Sequence, residues 1–152
     1  MSYPDRKDPV ANLRSDAGLA SALRVSLARL TRRLRRQAAG NSLTPTQVAT
    51  LAAVDRHPGM TPGELAEHEK VQPPSMTRVI AVLEERGLLS RTPHPTDRRQ
   101  VSLTVTEAGS ALLKEERRRR DAWLAQRLKE LTPEEKAVLR QAAPILEKLS
   151  RI

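Results

Sequence analysis

The sequence predicts a mainly α-helical fold with a small β-hairpin, arranged as a winged helix-turn-helix flanked by N- and C-terminal helices. Three observations lead to this prediction. Leucines recur with helical spacing near the N-terminus. A threonine–proline signal typical of helix starts occurs at Thr44, Thr61 and Thr132. Finally, apolar and polar residues alternate from Gln100 to Thr106, as in a half-buried strand.

The N-terminal part divides into a polar arm and a helix. Residues 1–15 are polar and contain prolines, and we expect them to form a flexible arm. After residue 15, apolar residues fall on one face at steps of three and four, which predicts a helix over 16–39 that ends near Gly40 and Asn41. The leucines of this stripe are Leu19, Leu23, Leu27, Leu30 and Leu34.

Each threonine–proline signal also carries Gln or Glu three residues after the threonine, which completes a capping box. Helices are therefore predicted over about 45–56, over about 62–69 and from Pro133 to the end of the chain. Between the last two, Pro73 opens a helix that ends at Gly87, and Thr106 caps a long one that reaches about residue 130.

The middle of the chain has the order of a winged helix-turn-helix. Two short helices are joined by a tight turn at Val71 and Gln72, and two strands over 88–93 and about 100–105 follow. We predict that this module spans about 44–105. Its second helix would bury Met76 and Ile80 and turn the opposite face outward.

Composition limits the function classes. Lys plus Arg number 27 against 18 Asp plus Glu, a net charge of +9, which favours a polyanionic partner; genome base bias is the alternative. Aromatic residues are limited to Tyr3 and Trp123, which argues against single-stranded nucleic acids. With no cysteine, disulfides, thiolate metal sites, cysteine nucleophiles and thiol-based redox sensing are excluded.

Several other classes find no support in the sequence. No catalytic triad, P-loop, dinucleotide motif or paired-carboxylate site is present, so we expect neither an enzyme nor a cofactor. Glu64 and His68 lie one turn apart, but no third metal ligand is indicated. The N-terminus lacks an apolar signal region and no apolar run reaches membrane-spanning length, so we expect a cytoplasmic protein.

The candidate DNA-contacting residues lie on the second short helix and at the hairpin tip. Ser and Thr hydroxyls and an Arg guanidinium near a helix start suit base edges and phosphates, although any exposed helix is polar. Arginines at a hairpin tip suit the negative potential of the minor groove. These residues are Pro74, Ser75, Thr77, Arg78, Arg98 and Arg99.

Three further features each allow two interpretations. Thr61 could hold a phosphate or simply cap its helix. Asp97 could orient a neighbouring arginine, bond its own backbone, or do both. The run 117–120 is all arginine, but Glu115 and Glu116 stand four residues before its last two members, which favours intrahelical ion pairs on a solvated face.

From Asp16 to Leu149 the chain resembles the MarR family of bacterial transcriptional regulators. The most specific segments are DRRQVSLTVTEAGSALL, residues 97–113, and PPSMTRVIAVLEERGLLSR, residues 73–91. The resemblance implies a homodimer whose helices over about 16–39 and 106–151 interlock. The apolar stripes agree, because a small winged domain alone leaves them uncovered; their members are Leu19, Leu23, Leu27, Val138, Ile145 and Leu149.

The resemblance also implies a regulator that binds a pseudo-palindromic operator with recognition helices about 34 Å apart. We expect it to be a repressor that blocks polymerase by occupying a promoter. Asp97 would then orient Arg99 into the minor groove, while Ser75, Thr77 and Arg78 meet the major groove. An unidentified small-molecule effector would bind among the first helix, the helix from Pro45 and the helix after Thr106. Two alternatives stay open: a nonspecific or architectural DNA-binding protein, and a helical module for an acidic protein partner.

Overall fold

The computed structural model describes residues 13–37 and 43–152, and it confirms the mainly helical fold with one hairpin. Most of the expected arm, together with Gly40 and Asn41, lies outside the described residues. The helices are α1 (Asp16–Gln37), α2 (Pro45–Arg56), α3 (Pro62–His68), α4 (Pro73–Glu85), α5 (Glu107–Leu128) and α6 (Pro133–Arg151). The strands are β1 (Leu89–Pro93) and β2 (Val101–Val105).

Local sequence signals set the helix starts. The capping boxes predicted at Thr44, Thr61 and Thr132 are all present, each with proline in the first turn. At Thr132, for example, the hydroxyl accepts from the Glu135 amide at 3.2 Å and the Thr132 amide donates to the Glu135 carboxylate at 2.9 Å. Each box satisfies amides that the first helical turn leaves without partners.

The hairpin is antiparallel, and Leu89 lies opposite Val105 in its register. The second strand is more enclosed than a half-buried pattern implies, since α2, α3 and α5 all contact β2. Ser102, on the face expected to be polar, is only 4% exposed. The segment between α2 and α3 also bonds to β2: Gly59 N donates to Leu103 O at 3.1 Å, and Leu103 N donates to Met60 O at 2.9 Å.

The core lies within the winged module. Leu51 of α2, Leu65 of α3, Ile80 of α4 and Leu103 of β2 are fully buried and belong to one apolar cluster. Because α4 contributes Met76, Ile80 and Leu83 to this core, its opposite face must turn outward.

The long helices outside this module are poorly covered in the single chain. Only Ala22 of α1 is buried, and every residue of α6 is described yet none is buried. Large apolar side chains of both helices are therefore exposed to solvent. Across the described ranges, no helix combines the length and apolar character needed to cross a bilayer.

Candidate nucleic-acid interface

The outward face of α4 is held in place by a tight turn and by its own buried side. Val71 N donates to Ala66 O at 2.9 Å, and Lys70 adopts a left-handed backbone with φ of 54°, so the chain reverses within a few residues. The α4 residues predicted to contact DNA are all exposed: Pro74, Ser75, Thr77 and Arg78.

These exposed side chains differ in how free they are to bind. The Thr77 hydroxyl donates to Pro73 O at 2.9 Å, so its proton is already engaged within the helix. Within residues 13–37 and 43–152, the side chains of Ser75 and Arg78 have no hydrogen bond or ion pair. Ser75 and Arg78 are therefore the groups of this face that are ready to meet a ligand.

At the start of α3, Thr61 has the capping role that was one of its two interpretations. Its hydroxyl oxygen accepts from the Glu64 amide at 3.2 Å, and its amide donates to the Glu64 carboxylate at 2.9 Å. The carboxylate places negative charge at this helix start, which opposes a phosphate there. A phosphate contact by Thr61 stays a prediction, since the hydroxyl proton can still be donated.

The turn between the strands, residues 94–100, forms the wing tip, and it carries the predicted arginine pair. Arg98 and Arg99 are exposed, and their guanidinium groups have no partner in the described part of the chain. Asp97 follows the backbone interpretation: its carboxylate accepts from the Arg99 amide at 2.9 Å, and its carbonyl accepts from the Gln100 amide at 3.1 Å. Asp97 thus fixes the main chain that carries Arg99.

An ion pair that the sequence analysis did not single out ties the wing to α4. Arg91 Nε on β1 donates to Glu84 Oε1 near the end of α4 at 2.7 Å. At the base of the wing, the Thr106 hydroxyl donates to Gly87 O at 2.6 Å. The sequence does contain a signal for this ion pair, since Glu84 and Arg91 have opposite charges and stand seven residues apart on either side of Gly87. These contacts join the base of the wing to the C-terminal end of α4 and to the turn that follows it.

The arginine run on α5 forms the predicted ion pairs. Arg118 and Arg119 reach Glu115 at 3.0 and 3.1 Å, and Arg120 reaches Glu116 at 2.9 Å. The hydrogen bond from Arg118 lowers the pKa of the Glu115 carboxyl below its ordinary value. The solvated face expected for this run does not include Glu116, because α2 packs on α5 and leaves this residue 2% exposed.

This buried carboxylate borders a cavity of about 170 Å³ between α2 and α5. The Arg117 guanidinium lies 3.7 Å from the Asp55 carboxylate across it. The lining includes apolar side chains, Val48, Ala52 and Leu113, and charged ones, Asp55, Arg56, Glu116, Arg117 and Arg120. Two of the helices expected around an effector line this cavity; α1 does not.

The remaining candidates concern metal binding and self-association. Among the described residues, no three His, Asp or Glu side chains are grouped to hold a metal. Glu64 instead completes the cap of α3, and His68 Nδ1 lies 3.3 Å from Glu69 Oε1. Of the candidate dimerisation residues, Leu23 is half-buried and the others are exposed: Leu19, Leu27, Val138, Ile145 and Leu149.

Comparison with known proteins places this geometry in a family. The model of the MarR family matches residues 43–101, which include α2 to α4 and the wing tip. An HTH-type transcriptional regulator of Mycobacterium bovis is 46% identical over 134 residues, covering 88% of this chain and 94% of that protein. The HTH-type transcriptional repressor MdtR of Bacillus subtilis is 35% identical, covering 72% of this chain and 68% of its own length.

Solved structures agree with these relatives. A transcriptional regulator protein from Pseudomonas aeruginosa superposes with a TM-score of 0.79 at 33% identity, covering 91% of this chain and 98% of that one. A MarR family protein from Bacillus stearothermophilus superposes with a TM-score of 0.73 at 26% identity, covering 93% and 99%. The chain belongs to the MarR family, whose members are transcriptional regulators and not enzymes.

Proposed function

We propose that this regulator is a homodimeric repressor that binds a pseudo-palindromic operator in double-stranded DNA. The observation that carries the proposal is the pairing of two unengaged cationic groups on one rigid module. Arg78 projects from α4 and Arg99 from the wing tip, and the Glu84–Arg91 ion pair joins α4 to the first strand of the wing. A DNA-reading surface needs such fixed geometry because base edges are recognised by direction as well as by charge.

In this proposal α4 enters the major groove. Arg78 can donate two hydrogen bonds to a guanine, and Ser75 can contact a base or phosphate. Thr77 would contribute mainly its methyl group, since its hydroxyl proton is engaged with Pro73. Pro74 and Thr61 would lie near the sugar–phosphate backbone of the DNA. Such contacts give sequence preference on top of a charge-driven affinity that a net charge of +9 supports.

The wing would lie over the neighbouring minor groove. There the negative potential is strongest where the groove narrows, and an exposed arginine without an internal partner gains most from it. Asp97 would orient Arg99, because its carboxylate accepts a hydrogen bond from the Arg99 amide. Arg99 is therefore proposed as the principal minor-groove contact, and Arg98 as the second.

Dimerisation is proposed from the uncovered apolar faces. Val138, Ile145 and Leu149 of α6 are 64%, 60% and 55% exposed, and Leu19 and Leu27 of α1 are each 42% exposed. A single soluble chain rarely leaves such a face to water. We propose a winged module at about 44–105 and dimerisation helices at about 16–39 and 106–151 of one domain, 16–152. The partner copy would set the two α4 helices one helical turn of DNA apart, about 34 Å.

Repression and its release are proposed on separate grounds. The relative MdtR is named a repressor, and a dimer bound at a promoter would exclude polymerase. The cavity between α2 and α5 has apolar walls and an ionic rim, which suit a small effector with a charged group. Because its target is chromosomal DNA, the protein would act in the cytoplasm.

Selection from random DNA duplexes at near-physiological salt tests this function. A dimeric repressor should enrich an inverted repeat with half-sites one helical turn apart. No enrichment, with binding that fades evenly as salt rises, would instead indicate an architectural DNA-binding protein. No binding to any duplex would point to an acidic protein partner.

A further inference from the structure

The ring of His94 holds the wing tip together through one nitrogen. Its Nδ1 lies 3.2 Å from the Asp97 amide and 3.3 Å from both the amide and the hydroxyl of Thr96. We propose that neutral His94 is a positioning residue of the wing, and that its protonation weakens operator discrimination. This inference rests on the proposed operator binding.

The contacts determine the state of the ring. Backbone amides can only donate, so Nδ1 must accept from both of them and cannot carry a proton. The neutral ring therefore carries its hydrogen on Nε2 in this conformation. Protonation would place an N–H on Nδ1, facing two N–H groups, and these contacts would be lost.

The wing tip has little else to order it. Thr96, Arg98, Arg99 and Gln100 are exposed, so no apolar packing fixes the turn. Its other anchors are main-chain bonds and the Asp97 carboxylate: His94 N donates to Gln100 O at 3.1 Å, and Arg99 N donates to Asp97 Oδ1 at 2.9 Å. Losing the His94 ring contacts would free the half of the turn that leads into Asp97 and the arginines.

The charges around His94 decide how the effect must be measured. The Asp97 carboxylate and the guanidinium groups of Arg98 and Arg99 share its turn, while Arg91 on β1 is paired with Glu84 of α4. A protonated ring adds positive charge, which strengthens attraction to any DNA. Loss of wing order weakens binding to the cognate duplex more than binding to a random one, because only the cognate duplex relies on the direction of the wing arginines. The informative quantity is therefore the affinity for the selected duplex divided by that for a random one.

The test compares the wild type with H94N, H94A and H57N. The asparagine Oδ1 corresponds to the histidine Nδ1, so H94N keeps the acceptor but cannot be protonated. His57, exposed at the end of α2, supplies the matched control. As the pH is lowered, the ratio should fall roughly tenfold for wild type and H57N. The ratio should stay nearly constant for H94N, and it should be low at every pH for H94A.

A second readout needs no DNA. Backbone order parameters of residues 94–100, measured by NMR in the free protein, should fall on acidification for the wild type and stay unchanged for H94N. If wild-type order parameters do not change, or if H94N loses discrimination as the wild type does, the proposal is overturned. If no duplex is preferred even at neutral pH, operator binding has failed, and the order parameters still decide the role of His94.

Discussion

Gly109 lies where the start of α5 meets the base of the wing, and replacing it with alanine should destabilise the fold. A Cβ at this position would lie 2.3 Å from Leu88 O and 2.8 Å from Val105 Cγ1. An ordinary Cβ contact lies at 3.4–4 Å, so the helix start must move by roughly 1 Å. Leu88 O belongs to the backbone and cannot rotate away, and it also accepts a hydrogen bond from the Thr106 amide at 3.1 Å.

Two opposing terms set the magnitude. Overpacking of this kind costs about 1–3 kcal/mol, and the upper end applies where a backbone atom is struck. Against this cost, alanine in a helix raises the free energy of unfolding by about 0.5–1 kcal/mol relative to glycine. The net loss should be about 2 kcal/mol, equivalent to a fall in Tm of roughly 4–8 °C for a chain of this size.

Urea unfolding followed by circular dichroism, at one fixed protein concentration, measures this loss. Gly63→Ala supplies the control, because its Cβ would meet only Thr61 Oγ1, at 4.0 Å. That variant should gain up to about 1 kcal/mol, so the two substitutions are expected to shift stability in opposite directions. A Gly109→Ala protein as stable as the wild type would refute the reasoning about this contact.

Three other predictions concern DNA binding, the buried carboxylate and the dimer. Arg99→Ala should weaken binding to the selected duplex by about 1–3 kcal/mol, measured by fluorescence anisotropy, because a minor-groove contact is lost. Glu116→Ala should lower the urea-unfolding free energy by about 1–3 kcal/mol, because Arg120 loses a charged hydrogen bond in a partly buried setting. Ile145→Glu should dissociate the dimer in sedimentation experiments, because it places a charge in the proposed interface.

Each of these has a control and an outcome that contradicts it. Arg118→Ala is the control for Arg99→Ala, because it removes the same charge from α5. If both variants lose equal affinity for the selected duplex, the effect of Arg99 is one of overall charge and not of a minor-groove contact. Glu115→Ala breaks only exposed ion pairs, and should lower the unfolding free energy far less than Glu116→Ala does. Ala143→Glu adds the same charge to α6 at an exposed position about 200° around the helix from Ile145. An Ile145→Glu protein that sediments like it would exclude this face from the interface.

Features that depend on neighbouring residues were predictable from the sequence. The Thr44, Thr61 and Thr132 boxes act within a single helical turn, so three residue identities suffice to place each start. The outward face of α4 followed from helical periodicity, since Met76 and Ile80 mark the buried side. The exposed arginines of the wing followed from a turn between two strands.

Features that depend on distant parts of the chain were not predictable. The burial of Glu116 requires α2 to pack on α5, and the bonds from Gly59 and Met60 to Leu103 join residues more than forty positions apart. Rules based on neighbouring residues also left a choice open where two hydrogen bonds of one side chain compete. Asp97 could have paired with an arginine or with its backbone, and only the three-dimensional turn selects the backbone.

The most direct test of the proposed recognition is a footprint of the wild-type protein on the selected duplex, combining guanine N7 methylation with hydroxyl-radical cleavage. Two major-groove segments about 34 Å apart should be protected from methylation, each beside a minor-groove segment protected from cleavage. Arg99→Ala should restore cleavage in the minor-groove segments while the major-groove protection remains. Even protection along the whole duplex, unchanged in Arg99→Ala, would contradict recognition by α4 and the wing.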